Sequence, residues 1–387
     1  MTIPLLTTLR PLGTGLLGGG AAVAVLALVR PGRRLQVLPG LGVAIAVFVY
    51  GYAIVGVALL HWLAFWCARS LTGPRWAGAR GESRRWALAR VLMAVFAAVA
   101  LLGRGAGWMS WHVPVGRFEW APLYLDVLMF ARLEALLWEV GSGRVAKVSL
   151  GAYVTWSALP LALFGPMLRF SDWLAQEEAG LSDPVEGERL RTRRLLGLGA
   201  AQLVVLLLVR TVRTALSPLG LPLWLKVADW FGFNPWSFYL GAAGYCNVLI
   251  AAGLWTGIRL PKAFDRPFGR PNLSAFWANW NIPVTSLARD MFFYGRWGLG
   301  RGDAYVSAVA VFLVIGLWHA GNPYWVVWGL MHGAGYCVFL AYTRRLRAGD
   351  QLARSVQAIV PGGLVTYLFV CGCWAFAPQV VRLLRML

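Results

Sequence analysis

The sequence predicts an all-α polytopic membrane protein, and its composition and the spacing of its apolar residues support that fold class. Of the 387 residues, 59% are hydrophobic and 13% are charged, and the mean hydropathy is +0.62. A soluble domain is typically about 25% charged. Apolar runs of ~18 residues or more, the length a membrane helix needs, recur along the chain. We therefore expect a bundle of about ten to twelve membrane-embedded helices.

The net charge indicates lipid contact and argues against a nucleic-acid partner. The formal charge is +20, from 36 basic residues, nearly all arginine, against 16 acids. The arginines lie in short segments between apolar runs, the positive-inside pattern of membrane proteins, which favours membrane lipids as partners. Residues 69–90 hold six arginines and one glutamate and are the clearest cytoplasmic marker. The chain is expected to be integral to the membrane.

The N-terminal part of the chain is expected to form membrane spans at the periphery of a core that later residues form. We predict a single domain over residues 1–387, in which residues 1–140 form peripheral spans, 148–342 the core and 355–387 a terminal span. Leu16–Val29 is the first expected span. Leu35–Ala68 is too long for one upright helix of ~20 residues, so it forms either one tilted helix or two pieces around Gly51.

The remaining segments differ in how clearly their sequences predict a membrane-spanning helix. Leu123–Val140 carries Asp126, Arg132, Glu134 and Glu139, so it lies in the interface or packs inside the bundle. Gln176–Arg194 is strongly charged and is expected to be an exposed loop, and Leu219–Trp236 to be re-entrant or interfacial. Further spans are expected at Trp86–Leu102, Val148–Leu163, Leu195–Val209, Ala242–Trp255, Val306–Leu317, Tyr324–Tyr342 and Ile359–Phe376.

A basic and aromatic stretch, Arg259–Arg301, precedes the last spans. It contains Lys262, Arg289 and Arg296 among seven basic residues, interleaved with aromatic rings. One interpretation is an interfacial helix with snorkelling arginines, which Ser274 would cap. The other is a mouth that attracts the phosphates of an anionic acyl donor. The two interpretations are compatible.

Val311–Tyr336 is the stretch most suited to chemistry. It holds His319 and His332 in an apolar run that Gly321-Asn322-Pro323 interrupts. Ionisable groups at membrane depth are costly and mark functional sites by default, although a structural hydrogen bond is the alternative for each histidine.

Asn281 lies in a second broken segment, just before Pro283. A neutral imidazole can take a proton from a hydroxyl that attacks an activated acyl carbon, and an amide can orient that reaction. The pair His319 and Asn281 therefore suits acyl transfer. The sequence contains no GxSxG, Walker, dinucleotide or HExxH motif, so we predict no bound cofactor and no metal.

The chain contains, in this order, the stretches FGPMLRF (Phe164–Phe170), GYCN (Gly244–Asn247), LPKAFDRP (Leu260–Pro267), FWANWNIPV (Phe276–Val284), GLWHA (Gly316–Ala320) and WGLMHG (Trp328–Gly333). Together these stretches, which cover roughly Phe164–Tyr336, resemble the motifs of the membrane-bound O-acyltransferase (MBOAT) family. Asn281 stands where bacterial polysaccharide-acetylating members usually carry histidine. Asn247 and Ala320 replace the usual Asp and Gly.

The resemblance implies a helical bundle around a funnel or tunnel and an O-acyltransferase activity. It implies that His319 is the catalytic base and Asn281 its partner. Trp280, Trp318, Trp325 and His332 would line the acyl path, and Arg289, Arg296 and Lys262 the donor entrance. The co-substrate would be acyl-CoA or another acyl thioester, and the protein would lie in a bacterial inner membrane.

The acceptor and the function class retain alternatives. The favoured acceptor is a hydroxyl of an exported glycan or cell-envelope molecule, with a periplasmic partner enzyme. The alternative within the family is direct acylation of a lipid or hydrophobic alcohol. From another class, a transporter or channel would use the same funnel, but the sequence shows neither a repeat nor paired intramembrane acids.

Overall fold

The computed structural model describes residues 20–50, 54–105, 114–115, 118–119, 123–159, 161, 165–216, 227–292, 304–319 and 323–384. These residues are helical except for connections and one short antiparallel pair, Pro114–Val115 with Phe118–Glu119. The all-α fold class is thereby confirmed. The chain divides into two compact units, the first comprising residues 1–201 and 244–261 and the second residues 202–243 and 262–387. The prediction of a single domain with peripheral, core and terminal parts stays a prediction.

The first unit contains α1 to α7 and the beginning of α8. Their bounds are α1 (residues 20–28), α2 (Arg34–Tyr50), α3 (Ile54–Ser70), α4 (Gly78–Gly105), α5 (Leu123–Gly141), α6 (Leu150–Ser157), α7 (Phe170–Ala179) and α8 (Glu186–Leu216). Within Leu35–Ala68 the described residues belong to α2 and α3. Residues 51–53 between them lie outside the described part, so the expectation of one tilted helix or two pieces stays a prediction.

Helix α5 packs inside the first unit, which decides between the two positions expected for it. Arg132 is buried and donates to the carbonyls of Trp156 and Ser157, at the C-terminal end of α6 where a cation is favoured. Its guanidinium also lies 4.5 Å from the Trp156 ring centroid. Glu139 is buried and accepts from the Ser171 backbone N–H at 3.2 Å, in the first turn of α7. These partners make two buried charges tolerable.

The second unit contains a π-helical turn and the later helices. The turn is Asp229–Phe233, and the helices are α9 (Asn234–Trp255, shared with the first unit), α10 (Leu273–Trp277), α11 (Ile282–Phe292), α12 (Ala304–His319), α13 (Pro323–Arg347), α14 (Gln351–Ile359) and α15 (Gly362–Leu384). Asp350 caps α14 by accepting from the Ala353 N–H at 2.9 Å.

Helices α12 and α13 pack with their backbones in contact because glycines occupy the crossing. A Cβ added at Gly316 would lie 2.3 Å from the Trp325 carbonyl oxygen, and one at Gly329 would lie 2.6 Å from the Phe312 carbonyl oxygen. A Cβ at Gly333 would lie 3.0 Å from the Cα of Val309. Small residues permit this close approach between membrane helices. The packing brings the histidines of both helices against aromatic rings of the partner helix.

The described helices include membrane-spanning candidates. Four are long and apolar enough by length and composition, namely Glu186–Ala215, Asp229–Trp255, Pro323–Arg347 and Gly362–Leu383. Val55–Ser70 and Ala304–Leu317 are shorter apolar helices. The chain is therefore an integral membrane protein. The total of about ten to twelve embedded helices and the funnel remain predictions.

Two expectations about individual segments are wrong. Gln176–Arg194 is largely exposed, as expected, but it is not a loop throughout, because α7 continues to Ala179 and α8 begins at Glu186. The span expected at Ala242 begins earlier, since Asp229–Trp255 is one candidate span. Val148–Leu163 contains α6, but residues 160 and 162–163 lie outside the described part, so this span stays a prediction.

The glycine contact between α12 and α13 predicts a specific loss of stability. Gly329→Ala places a methyl group against the Phe312 carbonyl, and overpacking of this kind costs roughly 1–3 kcal/mol. We expect a lower Tm for this variant in detergent. The matched control is Gly197→Ala in α8, where an added Cβ meets no described atom within 4 Å. Alanine there should raise or preserve the Tm because it favours helix over glycine. Equal Tm values for the two variants would contradict the close crossing.

Candidate functional site

His319 ends α12 and lies on the face of a tryptophan of α13. Its ring centroid is 4.2 Å from that of Trp325, with an interplanar angle of 15°. The ring of Trp328 is nearly perpendicular to the imidazole, and the two ring centroids lie 6.1 Å apart. His319 is half-buried, unlike His332. One face of the imidazole is therefore stacked on Trp325, and the residue as a whole is only partly exposed.

His332 lies one turn further along α13 and is completely enclosed. Its ring contacts those of Trp328 at 4.4 Å and Trp277 at 5.0 Å between centroids, and it stacks on Phe312 at 5.4 Å. Phe369 of α15 closes the fourth side at 5.5 Å. Among the described residues, neither ring nitrogen has a hydrogen-bond partner. The imidazole is thus held by packing alone.

Trp280 is the centre of a second aromatic cluster. It stacks on Phe276 at 5.4 Å and on Phe238 of α9 at 5.9 Å. Trp374 of α15 contacts it at 5.3 Å, and Phe264 at 5.3 Å. The indole is almost fully buried. Rings from four segments of the second unit, namely α9, the loop before α10, α10 and α15, therefore fix Trp280.

Trp277 joins the two clusters. It contacts Phe276 at 5.2 Å on one side and Trp328 at 6.0 Å on the other. A continuous series of rings therefore runs from Trp280, the residue before Asn281, through Phe276 and Trp277 to Trp328, which touches His319. Within the described part of the second unit, no hydrogen bond joins Asn281 directly to His319. Their elements are connected through rings.

Asn281 has a strained backbone. Its φ is +42°, and Arg266 is the only other non-glycine residue with positive φ in the described ranges. Asparagine tolerates the left-handed region better than most side chains. The strain is held from both sides, because the Ala263 carbonyl accepts from Ile282 N–H at 2.8 Å and the Asn281 carbonyl accepts from Thr285 N–H at 2.9 Å. Within the described residues, the Asn281 side-chain amide makes no hydrogen bond. It is half-buried and free to bind a ligand.

The loop before α10 is cross-braced around Asp265. This carboxylate pairs with Lys262 at 2.9 Å and with Arg270 at 3.5 Å. The hydrogen bond from Lys262 lowers the pKa of Asp265 below its ordinary value, and the nearby arginines add to that effect. Arg270 also donates to the Asn279 side-chain oxygen at 3.1 Å, and Asp265 N–H donates to the Asn279 carbonyl at 3.0 Å. The loop therefore has a net positive charge, and ion pairs and hydrogen bonds hold its conformation.

The structure describes only some of the other residues expected at the donor entrance and along the acyl path. Arg289 is exposed on α11, and Lys262 is half-exposed in its ion pair. Arg296 lies outside the described residues, as does the Trp318 side chain. The structure thus gathers Trp280, Trp325, His319 and His332 in the second unit around the α12–α13 pair and α10.

One sequence expectation about α10 is wrong, and several site residues were not anticipated. The cap is Asn272, which accepts from the Ala275 N–H at 2.8 Å, not Ser274. The helix ends at Trp277, so Trp280 lies beyond it. Nothing in the sequence linked Phe238, Phe369 or Trp374 to this site, because their contacts are long-range. Trp277 was adjacent to the expected motif but had no assigned role.

The chain matches a known protein family over most of its length. Residues 45–377 match the model of the MBOAT, membrane-bound O-acyltransferase family. This range includes both units' helices from the end of α2 into α15 and contains every residue of the candidate site.

Individual relatives match shorter stretches. A stretch of 154 residues, 39% of the chain, is 28% identical to a peptidoglycan O-acetyltransferase of Helicobacter pylori, of which it covers 28%. A stretch of 112 residues, 28% of the chain, is 32% identical to a probable alginate O-acetylase of Azotobacter vinelandii and covers 21% of it. A stretch of 150 residues, 36% of the chain, is 22% identical to a teichoic acid D-alanyltransferase of Bacillus subtilis and covers 38% of it. In each case the aligned part is well under half of the relative's length.

The backbone of Asn281 predicts an unusual order of stability. Asn281→Gly should melt at a higher temperature than Asn281→Ala, since alanine in the left-handed region costs roughly 1–2 kcal/mol and glycine does not. Thermal unfolding of both variants in the same detergent measures this difference. The control pair is Ser274→Gly and Ser274→Ala inside α10, where alanine should be the more stable. The same order at both positions would contradict the left-handed conformation.

Proposed function

The chain belongs to the membrane-bound O-acyltransferase family, and on that premise we propose that it transfers an acyl group from a thioester to a hydroxyl. The observation that carries this proposal is the arrangement around His319. A half-buried imidazole at a helix end stacks on Trp325, and the unbonded amide of a strained Asn281 lies at the other end of a connected series of rings.

His319 acts as the general base. It takes the proton from the acceptor hydroxyl while that oxygen attacks the thioester carbonyl carbon, forming the new C–O bond and a negative carbonyl oxygen. The C–S bond then breaks, and the leaving thiolate takes the proton from the imidazolium. The products are an ester and a thiol, and His319 is neutral again. A positioned base of this kind contributes about 10²–10⁴-fold.

Trp325 supports this cycle electrostatically. The proton transfer makes His319 a cation while it lies 4.2 Å from the Trp325 ring centroid. The negative face of an indole attracts a cation at that distance, and more strongly where water is excluded. The stack therefore stabilises the charged form of His319 more than the neutral form, which favours the transition state over the ground state.

Asn281 is the partner of the base. Its side-chain amide can donate to the carbonyl oxygen as negative charge develops there, or orient the acceptor. A group that acts in this way gains from a fixed backbone, because it needs no reorganisation during the reaction. The left-handed Asn281, held by the Ala263 carbonyl and by the first turn of α11, has such a backbone.

The aromatic rings form the wall of the acyl path. We assign Trp280, Trp318 and Trp325 to this wall, where they keep water from the thioester. His332 contributes from behind Trp328, which it contacts at 4.4 Å, since all four sides of its own ring are packed. A funnel in a bundle of about ten to twelve helices would continue this path to both membrane surfaces.

The basic residues form the donor entrance. Lys262, Arg289 and Arg296 would attract the phosphates of acyl-CoA, the donor we favour among acyl thioesters. Asp265 neutralises one charge of its cluster, whereas Lys262, Arg266 and Arg270 supply three, so the loop keeps positive charge. No bound cofactor or metal takes part in this scheme, because the base, the amide donor and the co-substrate account for every step.

The acceptor we favour is a hydroxyl of an exported glycan or another cell-envelope molecule. The relatives named above act, by their names, on peptidoglycan, alginate and teichoic acid. Two of those names specify acetylation, so acetyl or another short acyl group is the preferred cargo. For this role we propose a location in a bacterial inner membrane and a periplasmic partner enzyme. Labelled lipid as the sole product would favour direct lipid acylation instead.

The role of His319 predicts a large loss of turnover. His319→Ala should lower the release of thiol from labelled acyl-CoA by about 10²–10⁴-fold, measured with purified folded protein and a hydroxyl acceptor. Asn281→Gly keeps the backbone and should lower the rate by roughly 10- to 100-fold.

The control is another histidine, His61 of α3, which hydrogen-bonds Tyr153 in the first unit at 2.9 Å. His61→Gln should leave the rate per folded protein near that of the wild type. Unchanged turnover in folded His319→Ala would refute the catalytic assignment. A larger loss at Asn281 than at His319 would reverse the two roles.

The entrance predicts an effect on donor affinity alone. Arg289→Gln should raise the KM for acyl-CoA by roughly two- to fivefold with kcat nearly unchanged, since a rim charge guides the donor without touching the reacting atoms. The difference should shrink as salt is added. Arg194→Gln, an exposed arginine of α8, is the control with the same charge change. An unchanged KM at low salt would remove Arg289 from the entrance.

A further inference from the structure

Helix α14 lies between two membrane-spanning candidates. Pro323–Arg347 and Gly362–Leu383 are both long and apolar enough to cross the bilayer. The connection between two successive spans begins and ends at the same membrane surface. Residues 348–361, which include α14, therefore lie at that surface, where water meets lipid headgroups.

One side of α14 is apolar and exposed. Leu352, Val356 and Ile359 are spaced by four and three residues, so they form a single stripe on the helix. Their exposed fractions are 68%, 40% and 79%. A stripe of this kind is typical of a helix that lies in the plane of the interface with its apolar side chains among the acyl chains.

The helix is held against α13 by its flank. Ala353 is the one buried residue of α14, and its carbonyl accepts from the Tyr342 hydroxyl at 3.2 Å. Leu352 and Ile359, at the ends of the stripe, lie at least about 100° around the helix from Ala353, whereas Val356 lies nearer to it and is 40% exposed. The contact therefore fixes the helix while leaving the stripe available to lipid.

The surface beside the stripe is strongly cationic. Arg344, Arg345 and Arg347 are exposed in the last turn of α13, and Arg354 is exposed on the polar side of α14. The acid of this connection, Asp350, is engaged as the helix cap. The charge of four arginines against one aspartate complements anionic headgroups and no other component of a bilayer.

We propose that α14 and the last turn of α13 form a binding surface for anionic phospholipids. The apolar stripe enters the acyl-chain boundary and the arginines pair with the phosphates above it. Apolar insertion and charge attraction act on the same short element, so the surface distinguishes anionic from zwitterionic bilayers. This surface does not depend on the acyl-transfer proposal.

The test compares bilayers of two compositions. The full chain is reconstituted into nanodiscs of phosphatidylcholine alone or of phosphatidylcholine mixed equally with phosphatidylglycerol. Hydrogen–deuterium exchange is then followed in the peptide covering residues 348–361. We expect slower exchange in the phosphatidylglycerol discs, and less slowing as salt is raised.

The variants separate the charge contribution from the apolar one. Replacing Arg344, Arg345 and Arg347 by glutamine should weaken anionic-lipid binding by roughly a hundredfold and abolish the difference between the two discs. The matched control neutralises Arg191, Arg193 and Arg194 of α8 and should preserve it. Leu352→Ser with Ile359→Ser should speed exchange in both discs.

Equal exchange in the two lipid compositions, or equal effects of the two arginine triplets, would overturn the proposal. Protection that rises with the number of protein copies in each disc would also overturn it, because a second copy would then cover the stripe. Acyl transfer can be measured on the same samples. Loss of turnover at His319 with unchanged exchange at α14 keeps the two questions apart.

Discussion

The backbone contact between α12 and α13 is the constraint on which the candidate site depends. Gly316 and Gly329 let each helix touch a carbonyl of the other, and any side chain there would separate them. That approach puts His319 on the face of Trp325 and His332 against Phe312. The same two glycines therefore decide which rings the two histidines contact, with His319 half-buried and His332 fully buried.

The candidate site also requires that the segment carrying the Asn281 amide is not part of one continuous helix. Helix α10 stops at Trp277, the chain turns through a left-handed Asn281, and α11 begins directly afterwards. Strain of this kind persists only where the surroundings hold it. Here the Ala263 carbonyl and the rings around Trp280 do so. The left-handed backbone lowers the stability of the protein, and it holds a polar side chain in a fixed position.

Much of this site could be predicted from local sequence, and the rest depended on long-range packing. The break after His319 was visible because Gly-Asn-Pro cannot continue an apolar helix. The cap at Asn272 was missed because Ser274 is an equally good capping type two residues later. The rings of Phe238 and Trp374 reach Trp280 from other helices, and no periodicity encodes such contacts. Charged α5 was ambiguous because only its buried partners, the carbonyls of α6 and Ser171, distinguish core from interface.

In the proposed reaction, thioester, base and amide meet at the end of α12. A cryo-EM map of the protein with a non-hydrolysable thioether analogue of acetyl-CoA tests this arrangement. We expect the analogue's carbonyl carbon beside His319, its oxygen within hydrogen-bond reach of the Asn281 amide, and its phosphates at the basic loop. An acyl end bound elsewhere, with neither His319 nor Asn281 in contact, would contradict it.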